Sequence, residues 1–165
     1  MILFGNLLSL IGCVLMVCIG LVKKKEHILI AQCVQFGFLG GGNLVLGAFS
    51  GFISGVISII RNVVFYKVKS SVWLKLGFIA VQVALTLWSG ADGLIQWLPV
   101  MAAVFYTWFV DTKNAAVFKA AIMAAQALWM IYDWYYSNFV AFSFDILTIV
   151  TNLIGILMIQ KERNT

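Results

Sequence analysis

The chain has 165 residues, of which 63% are apolar and 10% are charged. A soluble domain carries about 25% charged residues to face water, so a water-exposed globular fold is excluded and lipid has to be the solvent. The net charge of +5 does not point to nucleic acid, because the basic residues lie between apolar runs, a pattern that orients a protein in a membrane.

A helix that crosses a bilayer needs about 20 mostly apolar residues. On that measure the chain predicts seven helices: Ile2 to Val22, Ile28 to Phe49, Gly51 to Tyr66, Val72 to Trp88, Leu94 to Val110, Ala115 to Tyr135 and Phe139 to Ile159. The connections are tight and leave no length for a soluble domain, so one membrane domain is expected. The first run has no basic residue before it and three lysines after it, which is not the layout of a secretory signal. Cys13, Cys18 and Cys33 all lie inside apolar runs, are odd in number and lack metal-type spacing, so they read as small hydrophobes. His27 stands alone in the basic loop, and one histidine cannot build a zinc site.

The basic residues predict orientation. Lys23, Lys24 and Lys25 follow the first helix, Lys67 and Lys69 follow the third, and Lys75 lies just inside the fourth. Lys113 and Lys119 flank the junction of the fifth and sixth, while Lys161 and Arg163 close the seventh. Arg61 can snorkel to the same surface from the third helix. The loops around Ser50, Gly90 to Gly93 and Ser137 carry no basic residue. This predicts the N-terminus outside and the C-terminus inside.

An internal repeat is expected as well. The offset of 90 residues that carries Asn62 onto Asn152 also carries Ser58 onto Thr148, Asn43 onto Asp133, Lys23 onto Lys113, Asn6 onto Gln96 and Ser9 onto Pro99. Polar residues in apolar helices are the informative matches, since each is costly in hydrocarbon. Two three-helix units joined directly would point oppositely across the membrane, and one linker helix leaves them parallel. The fold class predicted is an all-α membrane protein of about seven transmembrane helices in a 3+1+3 parallel repeat. Residues 1–70 form the first unit, 71–90 the linker and 91–165 the second.

This arrangement resembles the SWEET and PQ-loop superfamily, whose members include sugar transporters, lysosomal amino-acid exporters and the KDEL receptor. Vitamin transporters of the PnuC type share a related architecture. A closer resemblance, to the YgjV-type bacterial inner-membrane family, rests on Ser58-Ile59-Ile60-Arg61-Asn62, on Leu98-Pro99-Val100 through Thr107-Trp108, and on Thr151-Asn152-Leu153-Ile154-Gly155. The Pro-Gln pair of the PQ-loop proteins is absent, because Pro99 is the only proline and Ser9 stands at the matching place in the first unit. The resemblance implies a small-molecule transporter fold in the bacterial inner membrane. It also implies that Asn62 and Asn152, which match a pocket-lining asparagine pair on the third helix of each unit, contact the solute.

The residues themselves give candidate sites. Ser54, Ser58 and Asn62 share one face of the third helix, and Asp145, Thr148 and Asn152 share one face of the seventh. Amides donate and accept, as a hydroxyl-rich solute requires; the same residues can instead be hydrogen-bonded glue between helices. A carboxylate as deep as Asp145 has a reason to be there: proton coupling or direct solute binding, the alternative being a shallower position facing water at the cavity mouth. Asp133, in the aromatic run Trp129 to Tyr136, belongs either to the interfacial belt or to the site. Asn43 follows Gly40-Gly41-Gly42, which suits close helix approach. Arg61 is expected to snorkel or to gate against a carboxylate such as Asp111. The expected binding set is therefore Asn62, Asn152, Ser58, Thr148, Asp145, Asn43 and Asp133.

No nucleophile–base pair, phosphate-cradling loop or paired-carboxylate hydrolase site is visible, so the chain is not expected to be an enzyme or to need a cofactor. The expected partners are the lipid bilayer and a small polar solute, with a homodimer left open. The expected function is a membrane transporter of a sugar, nucleoside, vitamin or amino acid. The alternatives are a ligand-binding receptor that does not transport, and a substrate-capture subunit of a larger importer. Helix 1 lacks the alanine stripe with which such subunits dock.

Overall fold

The computed structural model describes residues 1–19, 25–68, 70–112 and 114–164. Among these, the chain forms seven α-helices and no strand: α1 (Ile2–Ile19), α2 (Lys25–Val45), α3 (Phe49–Lys67), α4 (Val72–Trp88), α5 (Leu94–Phe109), α6 (Ala115–Tyr135) and α7 (Phe139–Asn164). Lys23, Lys24, Lys69 and Lys113, on which much of the one-sided charge rests, lie outside the described residues. So do the side chains of Cys18, Lys25, His27 and Arg163.

Local signals explain most of the boundaries. The Ser71 hydroxyl accepts the Leu74 amide at 3.3 Å to start α4, and Asn114 Oδ1 accepts the Ala116 and Val117 amides to start α6. These side chains satisfy donors that a helix N-terminus leaves without partners. The predicted second helix ran to Phe49, but α2 stops at Val45 and α3 begins at Phe49 instead of Gly51. The reason is a C-terminal lock. Gly47 takes φ 76°, the Ala48 amide returns to the Asn43 carbonyl at 2.8 Å, and the Gly47 amide returns to Leu44 at 3.2 Å, the paired bonds of a Schellman motif.

The turn between α6 and α7 repeats those bonds. Ser137 takes φ 57°, the Asn138 amide reaches the Asp133 carbonyl at 2.8 Å, and the Ser137 amide reaches Trp134 at 3.1 Å. The first turns beyond match too, Phe52 onto Ala48 and Phe142 onto Asn138. α4 closes in the same way at Gly90, φ 78°.

Helix neighbours define the architecture. α1 packs on α2, α2 on α3, α3 on α5, α5 on α6, α6 on α7, and α7 back on α1. Six helices therefore close a ring, and α4 lies outside it against α3 and α5. Glycines allow the tightest approach: a Cβ at Gly42 would sit 2.5 Å from Ser9 Oγ and 2.9 Å from the Gly5 carbonyl oxygen. This close packing is the use made of the Gly40–Gly42 run, as small residues do at helix interfaces in lipid.

The molecule is apolar outside and polar within. Buried polar residues outnumber buried apolar ones, while Phe4, Val14, Ile60, Trp73, Leu147, Leu153 and Leu157 are exposed. Water would penalise both features; a bilayer explains both. Among the described residues, by length and composition alone, two helices qualify as membrane spans, Phe49–Lys67 and Phe139–Lys161, with Ile2–Met16, Val72–Trp88 and Leu94–Phe109 as shorter apolar helices.

Candidate functional site

The ring encloses a cavity of about 640 Å³ lined by residues of all six ring helices and none of α4. That volume is in the range of about 300–1,000 Å³ usual for small-molecule sites. Its polar wall is uneven, with acidic groups toward one end and a guanidinium toward the other.

The acidic end is built from α6, α7 and α2. Asp133 and Asp145 are both buried and both line the cavity, and their carboxyls lie within hydrogen-bonding reach of each other. Gln126 Nε2 donates to Asp145 Oδ1 at 2.9 Å, while Asp145 Oδ2 is buried with no donor. Asn138 Nδ2 donates at 3.4 Å to both Asp133 Oδ1 and Asn43 Oδ1, tying α7 to α2 and α6. Asn138 is also the N-cap of α7, accepting the Ala141 amide at 3.4 Å.

The helices that hold this end are anchored by polar contacts at their N-termini. The Tyr132 hydroxyl accepts the Gly51 amide at 2.8 Å and lies 3.0 Å from Ser50 Oγ, so α6 caps the start of α3. Asn6 Oδ1 accepts the Val140 amide at 3.0 Å and its Nδ2 donates to the Ser137 carbonyl at 3.0 Å, so α1 caps the start of α7. Tyr132 and Trp129 form an edge-on pair with centroids 5.5 Å apart, and Trp129 faces the cavity. Trp134 and Tyr135 are the exposed members of the aromatic run. Asp133 therefore belongs to the interior, while Trp134 and Tyr135 beside it face outward.

At the opposite end Arg61 is 3% exposed. Its Nη1 donates to Thr107 Oγ1 at 3.0 Å, its Nε and Nη2 donate to Asn62 Oδ1 at 3.4 Å, and the guanidinium lies 4.6 Å over the Tyr106 ring. Arg61 thus neither snorkels nor pairs with Asp111. That carboxyl binds Lys75, whose ammonium also donates to the Trp108 carbonyl at 3.0 Å. The hydrogen bond from Lys75 is the main cause holding the Asp111 carboxyl below the usual carboxylate range. Trp108 is half exposed on the outer face.

The candidate residues are distributed as follows. Ser58, Thr148, Asp145, Asn152, Asn43 and Asp133 line the cavity. Asn62 stands behind the wall: it is 1% exposed and its Nδ2 donates to Gln32 Oε1 at 3.0 Å, so Gln32 and Arg61 present themselves in its place. Asn152 and Thr148 turn part of their polarity back into α7, Asn152 Nδ2 to the Thr148 carbonyl at 2.8 Å and Thr148 Oγ1 to the Phe144 carbonyl at 2.8 Å.

Sequence reasoning did not single out Gln32, Gln35, Gln126, Tyr106 or Asn138. A usable signal existed for some of them. Gln32, Gln35 and Asn43 are uncharged polar residues in the apolar run of α2 that begins at Ile28, and Asn138 sits at the N-cap position before an apolar run. α4, read as a plain linker, buries Lys75, Gln82 and Thr86 on its inner face, and Gln82 Nε2 has no partner beside a void of about 10 Å³ shared with Arg61 and Thr107.

An apolar shell around a closed ring of helices with an internal cavity is the build of a helical membrane protein. Residues 3–163 match the Imp-YgjV family, described as bacterial inner membrane protein. The chain belongs to that family and is a protein of the bacterial inner membrane. No curated protein and no solved structure matches it.

Proposed function

We propose that the protein is a carrier that moves a small polar solute through the ring by rocking α1–α3 against α5–α7. The observation that carries this reading is the 640 Å³ cavity walled by both helix triplets, with carboxyls, amides and a guanidinium among its lining residues. A monotopic or purely structural membrane protein has no use for buried carboxyls, amides and a guanidinium around an open volume of that size.

In this reading all seven helices cross the bilayer and the chain is a 3+1+3 parallel repeat related to the SWEET and PQ-loop proteins. Two observations support the duplication. The offset of 90 residues carries the bounds of α2, 25–45, onto those of α6, 115–135, and the start of α3 onto that of α7. It also carries Gly47 onto Ser137 with the same turn bonds. Each ring helix then stands opposite its repeat mate, since exchanging the triplets leaves the order of neighbours unchanged. Helix 4 returns the chain so that both triplets run the same way. The N-terminus faces out and the C-terminus in.

The solute is held by Asp145, Asp133, Asn43, Ser58, Thr148 and Asn152, with Asn62 acting through Gln32 and Arg61. Uptake of radiolabelled sugars, nucleosides, amino acids and vitamins into proteoliposomes holding this protein alone is the test. Uptake of one class that Asn152→Ala abolishes, with the variant still folded in detergent, supports the carrier. Tight binding without uptake would favour the alternative, a receptor or a capture subunit of a larger importer.

A further inference from the structure

We propose that the cavity takes a dipolar solute, with a protonated amine seated at the Asp133–Asp145 pair and an anionic group several atoms away on Arg61. The proposal rests on the cavity being a solute site, and goes beyond it in naming the solute's charges.

At the acidic end two carboxyls meet, and no lysine or arginine forms an ion pair with either among the described residues. Besides each other, their protein partners are the amides Gln126 and Asn138. Separately, Asp145 is a cavity-lining residue more than nine-tenths buried, and its Oδ2 accepts from no N–H or hydroxyl donor among the described residues. An ammonium has three N–H donors in a compact head, enough to serve Asp145 Oδ2 and Asp133 together. Charge-assisted bonds of this kind are the strong ones.

At the other end, Arg61 is a buried cation without a carboxylate partner among the described residues. Its bonds to Thr107 and Asn62 and its stacking on Tyr106 fix the plane of the guanidinium and leave N–H groups on a cavity-lining residue. A planar fork held rigid in this way suits a carboxylate or phosphate. Each end lacks the charge that the other holds, and a solute carrying both charges completes both.

The separation sets the size. Asn43, bridged to Asp133 through Asn138, touches the level of Gly51 on α3. Arg61 lies ten residues further along α3, which is roughly 15 Å at the helical rise. Helical side chains lean toward the helix N-terminus, so Arg61 leans back toward the acidic end and Asp133 leans toward Arg61. The gap between charges is thus on the order of 10 Å.

The test is calorimetry on the full-length protein in detergent, using ω-amino carboxylates from 3-aminopropanoate to 8-aminooctanoate, with hexylamine and hexanoate as single-charge probes. The expected result is one chain length that binds at least about tenfold more tightly than either single-charge probe. Asp145→Asn should reduce that ligand to the affinity of hexanoate, and Arg61→Gln to that of hexylamine. Arg61→Lys retains the positive charge without the fork and should bind that ligand more tightly than Arg61→Gln but less tightly than the parent, which separates a lost contact from a lost fold. Equal affinity for hexylamine and every amino carboxylate overturns the proposal, as does absence of binding across the series. Binding of a neutral sugar that Asn152→Ala abolishes, with no preference for the dipolar series, overturns the proposal and leaves the carrier standing.

Discussion

Gly47 and Ser137 hold the same left-handed backbone at matching turns, φ 76° and φ 57°, each ending one helix and aiming the next. α2 enters α3 through Gly47, and α6 enters α7 through Ser137, so these two residues set the angle at which two cavity-lining pairs of helices diverge. A Cβ at Gly47 meets nothing within 4 Å, so substitution there isolates backbone strain from crowding. Gly47→Ala should cost about 1 kcal/mol, read as a lowered melting temperature in detergent. An unchanged melting temperature would mean that the turn relaxes freely.

Gly42 is the opposite case, with an ordinary helical backbone and no room. A methyl there meets Ser9 and the Gly5 carbonyl oxygen at under 3 Å, and the backbone atom cannot rotate away. Gly42→Ala should destabilise by about 1–3 kcal/mol. Gly37→Ala, with nothing within 4 Å, is the control and should be neutral or stabilising. Equal melting temperatures for the two variants would contradict the close α1–α2 packing.

Tyr132→Phe removes the hydroxyl that caps α3 while keeping the ring and its packing on Trp129. The Gly51 amide and Ser50 hydroxyl are then left buried without that partner, at a cost of about 1–3 kcal/mol. Hydrogen exchange should report the loss first at the N-terminus of α3. Protection there equal to the parent's would show that another acceptor replaces the phenol.

Asp111 and Lys75 give a pH signature. The Asp111 carboxyl titrates below its ordinary value because it accepts from the Lys75 ammonium. A depressed carboxyl contributes stability in full above its unfolded value and loses it as pH falls through the folded one. Parent and Asp111→Asn should therefore differ in melting temperature near neutrality and converge below about pH 4. A difference that persists at low pH would assign it to packing. The side chain of Asp111 is 41% exposed, so the effect is small.

What the amino-acid pattern disclosed follows from what hydropathy can record. The starts of α4, α5, α6 and α7 fall where apolar runs begin after Ser71, Gly93, Asn114 and Asn138, because caps and turns are local. The α2–α3 boundary was misplaced because Leu46 to Phe49 is apolar and only the φ of Gly47 breaks it. The buried carboxyls and amides could be singled out, since a polar residue in an apolar run is conspicuous. Their pairings could not. That Lys75 takes Asp111 and leaves Arg61 to Thr107 and Tyr106 depends on how α4 docks outside the ring. That Asn62 turns toward Gln32 instead of the cavity depends on the roll of α3 against α2, which periodicity does not encode.

The central claim is that water and solute enter the ring. In a background with Cys13, Cys18 and Cys33 replaced by serine, single cysteines at Thr148 and at Leu153 are exposed in proteoliposomes to a charged, membrane-impermeant thiol reagent. Thr148 lines the cavity and Leu153 faces outward, where the lipid lies. The account predicts rapid modification of Thr148→Cys and none of Leu153→Cys. Inert cysteine at 148, or equal labelling at both positions, would contradict it.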